Sequence, residues 1–420
     1  RVWLMSASNQ DYLTMPNRLL QRFALASFFY STNGVNWENR SGWLSSGNEC
    51  EWFSTAMDPH EVCDRENFVT SLDLQLNGLL GAIPSELAVL TRLSHLDLSG
   101  NHLYDFLPPL SLATSLKTLI VDDNDISNFL HDDLGKFTNL ETISLNGNRL
   151  AGPLPTSLMN LTSLRVLSIA SNFLGGTLHT EIGNLSALQL FDIESNDFTG
   201  QIPSQLSRVT SLIDLSLAHN GFAGTLPTEL SRLTLLETLD LSYNSITSAI
   251  ISEIGFMTNL KTVWLFENSF FGTIPLELGL LKDLKWLDIS VNALQGSIPR
   301  QLTLLTGLER LHAAQNAITG KLPDAYPDKM ALSTVDLRDN LLSGSIPSQA
   351  GSISVEFLDL SLNEELAGTI PTDVMESARY RAVIDLTGTS LGGKVFCLDE
   401  FTNKDGILRV DCGAVQCQGQ

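Results

Sequence analysis

Asparagine returns through most of this chain at a fixed beat. It stands at Asn77, Asn101, Asn124, Asn148, Asn172, Asn196, Asn220, Asn244, Asn268, Asn292, Asn316, Asn340 and Asn363. The step is 24 residues, one shorter only at Asn101→Asn124 and Asn340→Asn363. Each asparagine closes a phrase LxxLxLxxN, such as LSHLDLSGN over 93–101 and LETLDLSYN over 236–244. The xLxLx piece alternates apolar and polar, the pattern of a short strand with one buried face. The asparagine then turns the chain, and its amide can satisfy backbone groups inside the turn. One repeat cannot bury its own leucines. Stacked neighbours build a continuous core and a parallel sheet. A last, degenerate coil lies at 383–389, with Thr389 in the asparagine place.

Composition narrows the function. The 420 residues include 47 acidic and 25 basic side chains, net charge −22. That excludes a phosphate backbone or an anionic membrane as the natural partner. No apolar run approaches the ~18–20 residues of a membrane span. The chain starts at Arg1, which reads as a processed or trimmed beginning.

A second phrase follows most of the asparagines, Leu/Phe-x-Gly-x-Ile/Leu-Pro. It occurs at Gly81–Pro84, Gly152–Pro155, Gly200–Pro203, Gly224–Pro227, Gly272–Pro275, Gly296–Pro299, Gly320–Pro323, Gly344–Pro347 and Gly368–Pro371. With this phrase the chain resembles the plant-type leucine-rich-repeat family over roughly residues 68–390. The resemblance implies an α/β solenoid: a right-handed superhelix of about 14 coils, a concave parallel β-sheet, and caps at both ends. It also implies a second short strand in each coil. Three coils lack the phrase, at Tyr104–Pro109, Ile126–Leu130 and Ile246–Ile251, and there no second strand is expected with assurance. A fourth has His179 in the proline place.

The chain divides into an extension (1–16), an N-terminal cap (17–67), repeats (68–390) and a cysteine-containing C-terminal cap (391–420). Helix-spaced apolar residues run over Arg18–Thr32, followed by Trp37, Trp43, Cys50, Trp52 and Cys63. The family cap has this helix and these tryptophans, and the resemblance implies a Cys50–Cys63 disulfide. Cys397, Cys412 and Cys417 sit at the other end. A Cys397–Cys412 pair is expected there, with Cys417 left for a partner beyond Gln420 or on another copy; a zinc site is the competing reading. Cysteines at both ends and sequons at Asn39, Asn160 and Asn184 point to a glycosylated extracellular protein.

Side chains flanking the strand leucines face outward and form columns along the concave sheet. The column between the leucines holds Asp73, Asp97, Asp192, Asp240, Asp288, Asp336 and Asp359, either a solvated polar face or an acidic track for a ligand. Trp264 and His312 interrupt it. Reading across those coils gives Trp264, Phe266, Trp286, Asp288, Arg310 and His312. Exposed aromatics beside arginine have the composition of binding hot spots and sugar-stacking platforms; the alternative is that they pack on each other or beneath a glycan. Tyr243, Phe270 and Phe271 flank the group, Phe270 as core. A separate acidic group, Asp122, Asp123, Asp125, Asp132 and Asp133, reads as a solvated edge or a calcium site.

No HExxH, GxSxG, P-loop or dinucleotide motif is present, and the seven histidines are scattered. The expectation is a non-catalytic recognition module without cofactor or metal, binding a protein, peptide or polysaccharide on its concave face. The resemblance points to receptor-kinase and receptor-like ectodomains and to inhibitors of cell-wall-degrading pectinases. The alternative is a structural or adhesive surface component that assembles with other copies, with Cys417 as a link.

Overall fold

The computed structural model describes residues 16–52, 62–105, 115–324, 330–348, 355–372, 382–396, 407–410 and 415–418. They fall in two compact units, Arg1–Thr199 and Gly200–Gln420.

The first unit opens with an α-helix over Pro16–Ser31, starting at the last residue of the segment read as the extension. Proline suits the first helical position, where the N–H has no partner anyway. Phe28, Phe29, Trp37, Trp43 and Trp52 follow as a chain of rings, neighbouring centroids 4.8–5.9 Å apart. Inside the cap Arg22 and Glu49 are fully buried and paired at 2.6 Å, and Arg18 reaches the same carboxylate at 2.7 Å. A disulfide joins Cys50 to Cys63. Cys397, Cys412 and the side chain of Cys417 lie outside the described residues.

The repeats of this unit form a parallel sheet, in which each strand residue pairs with its counterpart one coil on. Thr118 pairs with Thr142, and Thr142 with Val166. The same register runs through the second unit, from Asp214–Ser216 to Ile407–Arg409. The central strand residues Leu96, Leu119, Ile143, Phe191, Val263 and Leu287 are essentially fully buried. This is the main sheet, and its outer face carries the flanking columns.

Asparagine does two jobs in each turn. Asn172 Nδ2 donates to the carbonyls of Ile169 and Ala170 in its own coil and of Leu145 in the coil before. Its Oδ1 accepts the Leu150 amide, also of the preceding coil. Asn148, Asn196, Asn292, Asn316, Asn340 and Asn363 repeat this pattern. The residue before each asparagine is left-handed, including His219 (φ 50°), Tyr243 (51°) and Val291 (52°).

Second strands form in all three coils that lack the glycine–proline phrase: His102–Asp105, Ser127–Phe129 and Ser245–Ile246. The expectation of doubt there is corrected. In a regular coil the phrase glycine takes a positive φ, 81° at Gly224 and 77° at Gly272. Asn128 holds the equivalent place at φ 129°, which asparagine tolerates better than most residues. Ser248 occupies that place without a positive φ, and its strand is cut to two residues. The second sheet breaks there and resumes at Phe271–Thr273, across a single Ala249–Phe271 bridge. The chain returns through single 3-10 turns rather than α-helices, such as Thr156–Asn160 and Ser252–Phe256. No helix among the described residues is long and apolar enough to cross a membrane.

Candidate ligand-binding site

Three adjacent strands of the second unit carry the aromatic group: Thr262–Trp264, Trp286–Asp288 and Arg310–His312. Their register aligns Thr262, Trp286 and Arg310 in one column and Trp264, Asp288 and His312 in the next. Because strand side chains alternate, both columns share the outer face, while Val263, Leu287 and Leu311 point into the core. The six expected residues therefore come together, Phe266 two residues beyond Trp264.

Trp264 and Trp286 meet diagonally, centroids 5.8 Å apart and planes tilted by 35°. On the next coil the Arg310 guanidinium lies over the Trp286 ring, 4.3 Å from its centroid. Trp286 is thus held between an indole on one coil and a cation on the other. Arg310 has no carboxylate partner among the described residues, although acids outnumber bases nearly two to one. By contrast, Arg338 and Arg409 on the same sheet lie beside Asp336 and Asp385.

His312 Nδ1 lies 3.2 Å from Asp288 Oδ2, an arrangement that places the proton on Nδ1. Its Nε2 is buried without a hydrogen-bond partner among the described residues. On the following strand burial pushes the Asp336 carboxyl above its ordinary range, while hydrogen bonding from the Arg338 amide pulls it down.

The aromatic run extends further than the six residues. His219 stacks on Tyr243 at 4.0 Å, with planes 19° apart, and Tyr243 meets Phe266 edge-on at 5.1 Å. Sequence reading took His219 for one of several scattered histidines. The signal available was its place: His219 and Tyr243 both directly precede a ladder asparagine, one coil apart. The whole forms a diagonal from His219 through Tyr243, Phe266, Trp264 and Trp286 to Arg310. It spans five coils, about 19 Å along the sheet. Phe270 is fully buried, as core, and Phe271 is half exposed.

The aspartates of the column make hydrogen bonds within their own coils. Asp240, Asp288 and Asp359 each end a strand and accept the amide two residues on, from Ser242, Ser290 and Ser361. The other acidic group is also engaged. Asp122 accepts from Ser144 Oγ and the Asn146 amide; Asp125 pairs with Arg149 and Asp133 with Lys136. The sequon residues Asn39, Asn160 and Asn184 are exposed, the last two each ending a 3-10 turn.

The family model for the leucine-rich repeat matches residues 92–113, 139–161 and 235–257. The chain is built as a leucine-rich-repeat solenoid. Among curated proteins it is similar to the receptor-like kinase TMK2 of Arabidopsis thaliana, 29% identical over 117 residues, or 28% of this chain and 13% of that protein. Among solved structures, this leucine-rich-repeat protein resembles PEPR1–AtPEP1, with TM-score 0.76 and 27% identity over 93% of this chain and 58% of that one. It also resembles the Arabidopsis receptor kinase HAESA in complex with the peptide hormone IDA and the co-receptor SERK1. There the TM-score is 0.68, with 29% identity over 78% of this chain and 59% of that one. The leucine-rich-repeat protein thus spans about an eighth of the curated relative and under two thirds of each of these structures.

Proposed function

We propose that this leucine-rich-repeat protein is a non-catalytic, extracellular recognition module that binds a peptide or protein segment along the diagonal His219–Arg310, on the face the sequence reads as concave. The observation that carries the reading is the Trp264–Trp286–Arg310 stack. Trp286 is flanked by the Trp264 indole and by the Arg310 guanidinium, which favours anchoring of side chains at ring edges over the open-face stacking a sugar needs there. Arg310 is held in place with its N–H edge uncommitted, ready for a bidentate acceptor on the ligand. The similar structures, a complex of HAESA with the peptide hormone IDA among them, support the peptide class.

The test is the Trp264→Ala/Trp286→Ala variant, assayed for binding of a peptide library by the intact chain. Anchors of this kind contribute about 2–4 kcal/mol each, so affinity should fall by at least about a hundredfold with circular dichroism unchanged. Undiminished binding would sink the assignment of this face.

A further inference from the structure

The 3-10 turns carry a second surface, on the side of each coil that the main sheet does not occupy. Each of these turns is five residues long, and in those named next the fifth side chain faces solvent. It is polar in Asp132–Lys136, Thr156–Asn160, Thr180–Asn184, Ser204–Arg208 and Thr228–Arg232. In three consecutive turns of the second unit it becomes Phe256, Leu280 and Leu304, exposed by 65%, 52% and 56%. Leu276, in the middle turn, adds a fourth side chain at 53%. Where this position is apolar in the first unit, at Val89, the cap helix covers it. A contiguous apolar row of this size, at a position that is polar in the turns before it, marks a contact surface.

We propose that this row is the core of an interface between two copies of the chain, run antiparallel about a two-fold axis at Leu280. The charges decide the occupant. In a 3-10 turn side chains three apart eclipse, so Glu253 stands beside Phe256 on the first coil of the row. Arg300 stands at the start of the turn that ends in Leu304, on the third. Neither is in an ion pair among the described residues. A two-fold axis through the middle coil exchanges first and third. It sets Phe256 on the partner's Leu304, Leu280 on its own image, and Glu253 against Arg300 twice, the self-complementarity an isologous contact requires. Glu277 meets its own image at the axis, an opposed pair of like charges. The main-sheet diagonal takes no part, so both copies keep it open.

Sedimentation velocity on the intact chain across micromolar concentrations tests this. The expected species is a dimer. Leu280→Glu should raise its dissociation constant by about a hundredfold, as removal of a central anchor does. Glu253→Arg should weaken the dimer and Glu253→Arg/Arg300→Glu restore it, while Glu277→Gln tightens it. Trp264→Ala/Trp286→Ala should leave it unchanged, which separates this interface from the ligand face. A monomer at every concentration would overturn the proposal and give the row to a different partner. So would a dimer indifferent to Leu280→Glu.

Discussion

Val291 shows what the repeat demands of a single residue. It is β-branched and left-handed at φ 52°, in a place where other coils put Gly100, Gly147 or Gly388. The left-handed state costs a non-glycine residue about 1–2 kcal/mol, and the Asn292 hydrogen bonds hold the turn regardless. Val291→Gly should therefore raise stability by roughly 1 kcal/mol, after allowing for the extra freedom of glycine in the unfolded chain. Urea denaturation would read it as a higher midpoint, and a lower one would mean that the half-buried valine contributes more by packing than its backbone loses. The same position explains why His219 and Tyr243 escaped sequence reading. Strand alternation says where residues 214–216 point, but nothing about a side chain on a left-handed turn residue.

Among elements, the cap helix departs furthest from what its sequence suggested. Its apolar spacing was legible, but the place of Arg22 was not. In the fold Arg22 is buried, its guanidinium on Glu49 and 4.8 Å from the Trp52 ring centroid. No helical periodicity can show this, because the partner comes from a loop 27 residues away. Removing Arg22 strips the dry Glu49 carboxylate of one of its two cations, a loss approaching the roughly 3–5 kcal/mol of breaking a buried pair. Arg22→Ala should lose about that much in chemical denaturation, far more than Arg92→Ala, whose pairing with Asp64 and Glu66 is largely exposed. Equal losses would show that the cap does not depend on the buried charge. The second strands teach a related lesson. Searching for glycine missed Asn128, which reaches a similar backbone state by a different route.

For the molecule as a whole, the in-phase leucines and asparagines made the solenoid legible, since one period fixes both strand register and core. The site was legible only as interruptions: Trp264 and His312 stood out because aspartate was expected. That Trp286 is clasped by Arg310, or that the aspartates accept amides of their own coils, depends on distances a sequence does not contain. Net charge acts at this scale too. With −22 distributed over 420 residues, the folded chain repels itself. Moving from about 0.01 M to 0.15 M salt shortens the screening length from about 30 to 8 Å. The melting temperature should rise by a few degrees over that range, and a fall would show that its ion pairs outweigh the general repulsion.

The ladder asparagines also give the solenoid a direction. Asn172 completes the turn of the coil before it, so every coil is sealed by its successor. A chain emerging from its N-terminus always carries one unfinished coil at its growing tip. The pattern changes where Thr389 replaces asparagine: among the described residues its hydroxyl bonds only within its own coil, to the Leu386 carbonyl and the Leu391 amide, while the main sheet runs on to Ile407–Arg409. The coil before has already closed on itself, the Leu366 amide turning to the carbonyl of its own Asn363. One added residue between Asn363 and Leu366 makes that closure possible, and frees this coil from waiting for its successor's asparagine.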